Sequence, residues 1–274
     1  MKNIWVPVSG QIAQQRKIET IANNVANANT TGFKKDNVTF KEYLTALDKG
    51  LEDVDVPRRD WSAADFYKTN GAQNSFVVHD GTYTSHDQGQ LQFTREPLDF
   101  GLDGKGFIEV LTPNGIRFTR NGNLSLNDKG QLSTKHGYLV LSPKMEVTAE
   151  GTQPEDPRSR AITIGNSVKN INVDESGRIF EKDQELGQFS LVEFKDLNAL
   201  KKEGPFYINN AAENINRQAN NTKIRQGFLE GSNVNTIHEM SELIKAHRHF
   251  ENIQKAIQTY DNIMGKAVND ISKF

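Results

Sequence analysis

The last forty residues, 235–274, carry the pattern that most restricts what this chain can fold into. Apolar residues recur there at alternating steps of three and four, which is the 3.5-residue period of a coiled-coil seam. The seam positions are Leu243, Ala246, Phe250, Ile253, Ile257, Tyr260, Met264, Ala267, Ile271 and Phe274. Charged and amide side chains lie between them, and no proline interrupts the run. A long helix with one narrow apolar stripe needs a second helix to cover it, from the same chain or from a neighbouring subunit.

A second helix is predicted near the N-terminus, at about residues 4–28. The residues of its looser apolar stripe are Ile4, Val8, Ile12, Ile18, Ile21, Ala22 and Val25. A run rich in Asn, Thr and Gly then ends the helix, because these residues favour caps and left-handed backbone over helical hydrogen bonding. Apolar helices at the two ends of one chain can pair, which would make the middle an insertion between them. Two unrelated terminal helices packed on a globular core are the alternative.

Between the helices, from about residue 76 to residue 228, the apolar period changes to two. Short alternating stretches are separated by turns that carry Gly and Asn, such as Pro113-Asn114-Gly115 and Asn121-Gly122. Because Gly and Asn supply the positive φ of tight hairpins, this segment is expected to form a mostly antiparallel β body. Within it, residues 196–203 are expected to form a short helix.

The chain is therefore expected to have an α+β fold, with a mostly antiparallel β body inserted between N- and C-terminal α-helices that pair as a coiled coil. Residues 1–33 and 235–274 would form a terminal helical assembly domain, residues 34–75 a connector, and residues 76–234 a β-rich outer domain. With 274 residues, 35% of them hydrophobic, the chain is long enough to bury a core.

Composition narrows the function classes. A formal net charge of −2 gives no reason to expect a nucleic-acid partner. A sequence without cysteine has no disulfide, no thiolate metal site and no cysteine nucleophile. No apolar run reaches the roughly 18–20 residues of a transmembrane helix, and the first residues turn polar too early for a secretory signal peptide. A cytoplasmic protein is one interpretation, and export without a cleaved signal is the other.

No set of residues points to catalysis or to a cofactor. In the segment His238-Glu239-Met240-Ser241-Glu242, Glu242 stands where a zinc protease helix needs its second histidine. His247 and His249 are two residues apart, so they project to different sides of a helix. The glycines of FGLDGKGF lack the dinucleotide-binding spacing and precede an expected strand. The sequence therefore predicts no metal, no cofactor, no small-molecule substrate and no enzymatic activity.

Three parts of the sequence, one near each end and one in the middle, resemble the flagellar basal-body rod, hook and hook-associated proteins. Residues 21–34 (IANNVANANTTGFK) resemble the N-terminal signature, and residues 227–235 (GFLEGSNVN) with the long helix after them resemble the C-terminal motif. PLDFGLDGKGF and FTRNG are similar to β-domain motifs of rod and hook proteins. The motif residues singled out are Asn23, Asn24, Asn27, Thr31, Gly32, Phe33, Gly231, Ser232, Asn233, Val234 and Asn235.

The resemblance implies a structural subunit of the flagellar rod, a torque-transmitting driveshaft needed for motility. Such proteins are exported by the flagellar type III apparatus without a cleaved signal, and they polymerise in the periplasm. Their terminal helices form an inner layer and their β domain faces outward. The implied partners are copies of the same chain, other rod proteins and the export apparatus. Within the family, the text of the C-terminal helix is closer to the FlgF group of rod proteins than to the FlgG group.

The apolar stripes of the two helices are the expected assembly interface. Its residues are Ile4, Val8, Ile12, Ile18, Val25, Leu243, Phe250, Ile253, Ile257, Tyr260, Met264 and Ile271. The competing function class is an oligomeric carbohydrate-binding or carbohydrate-active β protein. A paired acidic cleft or an exposed aromatic platform in the β body would favour it, and the sequence indicates neither.

Overall fold

The computed structural model describes residues 5–45, 74–143, 156–165, 171–182, 184–217 and 221–271. They fall into two compact units. The helical unit takes its residues from Met1–Asn23, Asp36–Tyr83 and Ile237–Phe274, and the β unit from Asn24–Lys35 and Thr84–Thr236. The chain therefore passes between the two units four times, after Asn23, Lys35, Tyr83 and Thr236.

The helices are α1 (Trp5–Ala26) and α2 (Thr236–Ile271). The strands are β1 (Asp36–Thr45), β2 (Asn74–Thr84), β3 (Leu91–Phe93), β4 (Phe100–Asp103), β5 (Phe107–Thr112), β6 (Gly115–Thr119), β7 (Leu124–Leu126), β8 (Leu132–Thr134), β9 (Leu139–Val140), β10 (Ile171–Val173), β11 (Arg178–Glu181), β12 (Gln184–Gln188), β13 (Leu191–Phe194), β14 (Leu200–Glu203), β15 (Phe206–Asn209), β16 (Ile215–Asn216), β17 (Lys223–Gln226) and β18 (Phe228–Glu230).

In the helical unit, α1 and α2 pack against each other in antiparallel directions. Lys17 Nζ on α1 lies 3.5 Å from Glu242 Oε2 on α2. Further along the pair, a Cβ added to Gly10 would lie 3.8 Å from Ile253 Cδ1. Ala13 on α1 and Ala246 on α2 are buried. Small residues at these positions let two helices approach closely, since helix separation depends on the side chains at the contact.

Strands β1 and β2 form a two-stranded sheet in the same unit. Thr39 Oγ1 donates to the carbonyl of Gly81 at 3.1 Å, and Lys41 Nζ lies 2.6 Å from Asp80 Oδ1. Ser9 of α1 accepts a hydrogen bond from the backbone N–H of Val77 at 3.2 Å, which joins α1 to β2. The connector predicted at residues 34–75 therefore begins with a strand, and its part at 46–73 lies outside the described residues.

The β unit is built from antiparallel pairs. Its largest sheet has the order β14-β15-β6-β5-β9-β8-β7, and β13 pairs with both β5 and β16. Smaller sheets are β10-β11-β12, β17-β4 and β18-β3. One apolar core is centred on residues such as Phe100, Leu102 and Ile108, and a second contains Phe107, Phe118 and Tyr207. The predicted fold, a mostly antiparallel β body inserted between two terminal helices that pair, is confirmed.

One local prediction inside the β body is wrong. Residues 200–203, expected to be helical, form strand β14, which pairs with β15 in register from Leu200 with Asn209 to Glu203 with Phe206. The turn between the strands contains Gly204 at φ +59°. Pairing with β15 outweighs the helix propensity of the Leu- and Lys-rich text, because local propensity is a weak prior against tertiary context.

Candidate assembly site

The β unit contains a buried cluster of three charged side chains, Lys34, Arg120 and Glu230, which we call the Glu230 cluster. Each of the three residues is at most 3% exposed. Glu230 Oε1 accepts from Lys34 Nζ at 2.7 Å, and Glu230 Oε2 accepts from Arg120 Nε at 2.9 Å. Removing one partner from such a cluster would leave an uncompensated buried charge, which typically costs about 3–5 kcal/mol.

Backbone groups supply further hydrogen bonds to the Glu230 cluster. The N–H of Gly89 donates to Glu230 Oε1 at 3.0 Å, and Lys34 Nζ also donates to the carbonyl of Asp87 at 2.6 Å. Arg120 Nη1 donates to the carbonyls of Gly104 and Gly106 at 2.6 and 2.7 Å. A buried charge is tolerated where such bonds replace its hydration, so the cluster fixes the positions of several separate loops.

The three motifs noted in the sequence meet at this cluster. Gly32 N donates to the carbonyl of Glu230 at 2.8 Å, and Thr31 Oγ1 donates to Asn121 Oδ1 at 2.9 Å. Asn233 Oδ1 accepts from the N–H of Lys35 at 2.8 Å. The N-terminal signature, the FTRNG motif and the C-terminal motif are thus bonded to one another within the β unit.

The electrostatics of the region are set by burial among cations. Burial lowers the pKa of Lys34, Arg120 lowers it further, and Glu230 opposes both. Burial also lowers the pKa of the neighbouring His86 to about 4, with contributions from Lys34, Arg120 and Lys202. The rings of Phe107 and Tyr207 lie 6.0 and 5.5 Å from the His86 ring. His86 is therefore neutral at neutral pH.

A second buried carboxylate, Glu109 on β5, lies elsewhere in the β unit. Its side chain is 0% exposed, and it accepts from Arg160 and from Ser190 Oγ at Oε2. Arg217 Nη1 donates to Oε1 at 3.0 Å. Both carboxylates thus have two cationic partners, but the bonds of Glu109 involve none of the motif residues. This difference makes Glu109 a natural comparison for Glu230.

The remaining motif residues lie at the end of α1, just after it, or just before the start of α2. Asn23 and Asn24 are in the last turn of α1, and Asn24 is only 1% exposed. The backbone N–H of Asn27 donates to the carbonyl of Asn24 at 3.2 Å, just after the helix ends. The Phe33 ring lies 3.9 Å from Lys202 Nζ. Gly231, Ser232, Val234 and Asn235 lead from β18 into α2, and Ser232 Oγ accepts from the N–H of Val234 at 3.2 Å.

The predicted helix-interface residues fall into three groups. Seven are partly buried within the chain: Val8, Ile18, Val25, Leu243, Phe250, Ile253 and Ile257. Three remain largely exposed, namely Ile12 at 56%, Tyr260 at 52% and Met264 at 46%. Ile4 and the side chain of Ile271 lie outside the described residues. Pairing of α1 with α2 therefore uses one part of the predicted stripe and leaves another part in solvent.

The structure adds functional candidates that the sequence reasoning did not single out. Ile237, Met240 and Ile244 form a second exposed apolar stripe at the start of α2. These residues are three and four positions apart, the same spacing as in the main seam, and this spacing could have identified them from the sequence. Lys34, Arg120 and Glu230 were also missed as a group, although each lies inside one of the three motifs. Among the described residues there is no group of three or more His, Asp or Glu placed to hold a metal ion.

No helix in the described part of the chain is both long enough and apolar enough to cross a membrane.

Three family descriptions match the sequence. "Flagella basal body rod protein" matches residues 5–34, "Flagellar hook protein FlgE/F/G D1 domain" matches residues 101–181, and "Flagellar basal body rod FlgEFG protein C-terminal" matches residues 225–270. Together they cover α1, much of the β unit and α2, including all three members of the Glu230 cluster.

Full-length relatives carry the names of two rod proteins. The flagellar basal-body rod protein FlgG of Bacillus subtilis is 32% identical, with 98% of each chain covered. FlgG of Borreliella burgdorferi is also 32% identical, with 98% of each chain covered. FlgF of Caulobacter vibrioides is 27% identical, again with 98% of each chain covered. These similarities do not separate the FlgF group from the FlgG group, and they establish that the chain belongs to the family of flagellar basal-body rod proteins, as a structural subunit of that kind.

Proposed function

We propose that this chain polymerises through α1 and α2, with copies of itself and with other rod proteins, to build part of the driveshaft of the bacterial flagellum. In this proposal the helical unit is the assembly domain and the β unit is an outer domain. The family resemblance supports a periplasmic location, and it supports delivery by the flagellar type III apparatus without a cleaved signal. It also supports a mechanical role without catalysis. Of the two rod-protein groups, the FlgF group is the one we propose.

The observation that carries the proposal is the unequal length of the two paired helices. α1 has 22 residues and α2 has 36, which corresponds to about 33 and 54 Å at 1.5 Å per residue. Gly10 lies beside Ile253, so the start of α1 at Trp5 comes opposite about Gln258 in an antiparallel pair. From Gln258 to Asn269, every side chain of α2 is exposed.

The exposed end of α2 is apolar along one side. Tyr260, Ile263, Met264 and Val268 are between 46% and 62% exposed. These four side chains lie at steps of three, one and four, so they share one face of the helix. Fully burying a side chain of this kind contributes roughly 1.5–3 kcal/mol, so a neighbouring helix that covered the face would gain several kcal/mol at each contact. Repetition of that contact along a tube would make it stiff enough to transmit torque.

Exposed apolar residues elsewhere in the helical unit extend the proposed interface. Trp5 is 63% exposed and Ile12 is 56% exposed, and they lie seven residues apart on one side of α1. Ile237, Met240 and Ile244 form the second stripe of α2. A subunit inside a tube has neighbours on more than one side, which requires apolar residues on more than one face of each helix.

The test compares two aspartate substitutions on the exposed end of α2. Met264→Asp places a charge in the apolar face, whereas Asn262→Asp places the same charge on the opposite face. Each variant is expressed in a strain that lacks the corresponding gene, and motility and the amount of the chain in purified basal bodies are measured. We expect Met264→Asp to abolish both and Asn262→Asp to restore both. Full motility with Met264→Asp would contradict the proposed interface.

A further inference from the structure

We infer that Glu230 is a positioning residue for rod assembly, because it holds together the stretches of the β unit from which the chain passes into the helical unit. This inference rests on the function proposed above. It assigns an assembly role to a buried side chain that lies in the β unit and that no partner could reach.

The position of the Glu230 cluster along the chain is the first part of the argument. The chain passes into the helical unit after Lys35 and after Thr236, and it returns to the β unit at Thr84. Lys34 is adjacent to the first of these points, and Glu230 ends the last strand before α2. Asp87 and Gly89, which bond to Lys34 and Glu230, follow shortly after the return. The Glu230 carboxylate therefore links the stretches of chain next to three of the four points at which the chain passes between the units.

A second layer of bonds surrounds the first at the same passages. The backbone N–H of Ser85 donates to the carbonyl of Lys35 at 2.8 Å. Asn233 Nδ2 donates to the carbonyls of Ser85 and Asp87 at 2.9 and 3.1 Å. With the bond from the N–H of Lys35 to Asn233 Oδ1, these contacts form a closed set among the same three stretches. Hydrogen bonds that link the same stretches in this way strengthen one another and favour one arrangement of the three.

Lys202, which lies outside the motifs, also contacts the stretch that contains Phe33 and Lys34. Its Nζ donates to the carbonyl of Lys34 at 2.7 Å and lies over the ring of Phe33 at 3.9 Å from the centroid. Lys202 stands on β14, the edge strand of the largest sheet. The N-terminal stretch is thus held both by a buried ion pair and by a cation above an aromatic ring.

The alternative is that Glu230 only stabilises the β unit, as any buried ion pair would. Glu109 separates the two explanations, since it is as deeply buried, has two arginine partners, and touches none of the passages between the units. If burial were all that mattered, Glu109→Gln and Glu230→Gln would have the same consequences for assembly.

The experiment therefore compares the full-length variants Glu230→Gln and Glu109→Gln. We expect both to lower the urea midpoint of unfolding by similar amounts. Only Glu230→Gln should accelerate hydrogen exchange at the amides of Gly32 and Gly89, which bond to Glu230. Only Glu230→Gln should reduce incorporation into purified basal bodies, by at least tenfold at equal cellular amounts of protein. Equal incorporation of the two variants, whether normal or reduced, would overturn the inference.

A second pair of variants, with milder substitutions, tests the inference if Glu230→Gln does not fold. Lys202→Met removes the tie to Lys34 and Phe33, whereas Lys201→Met changes the neighbouring exposed lysine of the same strand. We expect reduced incorporation for Lys202→Met and normal incorporation for Lys201→Met, and identical behaviour would count against the inference. If the unmodified chain fails to restore motility, the proposed function is wrong, and the exchange at Gly32 and Gly89 still decides whether Glu230 positions these stretches.

Discussion

Gly32 is the residue at which the N-terminal motif meets the β body. Its φ is +69°, in the left-handed region that side chains with a Cβ rarely adopt. A Cβ at this position would lie 2.7 Å from both the carbonyl carbon of Arg120 and the N atom of Asn121. Two separate constraints, the backbone conformation and the close approach of another chain segment, therefore require glycine here.

Substitution of Gly32 should lower the free energy of unfolding by more than its left-handed backbone conformation alone explains. We expect Gly32→Ala to lower the free energy of unfolding by about 3 kcal/mol or more, because it adds a backbone clash to the left-handed strain. Gly204→Ala is the matched control, since Gly204 has φ +59° but no atom within 4 Å of an added Cβ. It should cost only about 1 kcal/mol. Urea titration of the purified proteins measures both values, and equal losses would contradict the clash.

A pH effect is also expected at the residue scale. The pKa of His86 is about 4 in the folded chain and 6.5 ordinarily, so the unfolded chain binds more protons between these values. The contribution of His86 to the free energy of unfolding should therefore be fully present above pH 6.5 and should decrease as the pH is lowered towards 4. Since His86 is only partly buried, the loss should be about 1–2 kcal/mol.

The check on this prediction is a pair of glutamine variants. His86→Gln removes the titrating group among Lys34, Arg120 and Lys202, so its urea midpoint should depend less on pH between 6.5 and 4. His136→Gln changes an exposed histidine and should keep the pH dependence of the unmodified chain. An unchanged slope in His86→Gln would show that other groups cause the acid sensitivity.

Sequence reasoning found the motif residues but not the bonds among them. Gly32 and Asn121 were visible as turn formers, because turn chemistry is local, and Asn233 was visible only as part of the C-terminal motif. Lys34 and Glu230 are 196 positions apart, and a buried charge cannot be told from a surface charge by its neighbours in sequence. Their pairing depends on which strands meet, which is decided by the whole fold.

At the scale of elements, the helices were the most predictable part. The predicted bounds of about 4–28 for the first helix compare with Trp5–Ala26 in the structure. The seam of α2 was recognisable because a period of 3.5 persists through many turns. The strand at Leu200–Glu203 was missed because a four-residue segment carries too little pattern to outweigh its helix-favouring composition.

The pairing of the two helices can be tested with one buried alanine. Ala246 on α2 is 1% exposed, so Ala246→Glu would place an unpaired carboxylate in the helix contact. We expect a loss of about 2–4 kcal/mol in the stability of the helical unit. Ala256→Glu makes the same change at an exposed position of α2 and should shift stability by no more than about 0.5 kcal/mol. Helical circular dichroism during urea titration reads out both, and equal effects would argue against the contact.

At the scale of the whole molecule, the chain crosses between its two units four times. The predicted order of helix, β body and helix is confirmed. The segment Asn24–Lys35 belongs with the β unit. The bonds of Gly32 and Lys34 to Glu230 explain this assignment. No local pattern in the Asn-rich run reveals it, since the run reads equally well as the end of a helical domain.

Hydrogen exchange on the isolated full-length chain tests the organisation of the whole. We expect strong protection in the paired strands of the β unit, intermediate protection in α1 and in α2 up to Ile257, and fast exchange from Gln258 to Ile271. Assembly into rods should then slow exchange in this last segment. Strong protection there in the isolated chain would mean that these turns already have a partner, and the proposed interface would need to be placed elsewhere.

The pairing of α1 with α2 has a consequence for how the chain is made. α1 (Trp5–Ala26) comes well before α2 (Thr236–Ile271) in the sequence, so during synthesis α1 has no partner helix until α2 has been added. Contacts between such distant segments also form late in folding, whereas Thr84–Thr236 can begin to pair its strands earlier. The apolar face of α1 therefore stays uncovered from its own synthesis until that of α2, and this interval is when other proteins can most easily bind the segment or keep it unfolded.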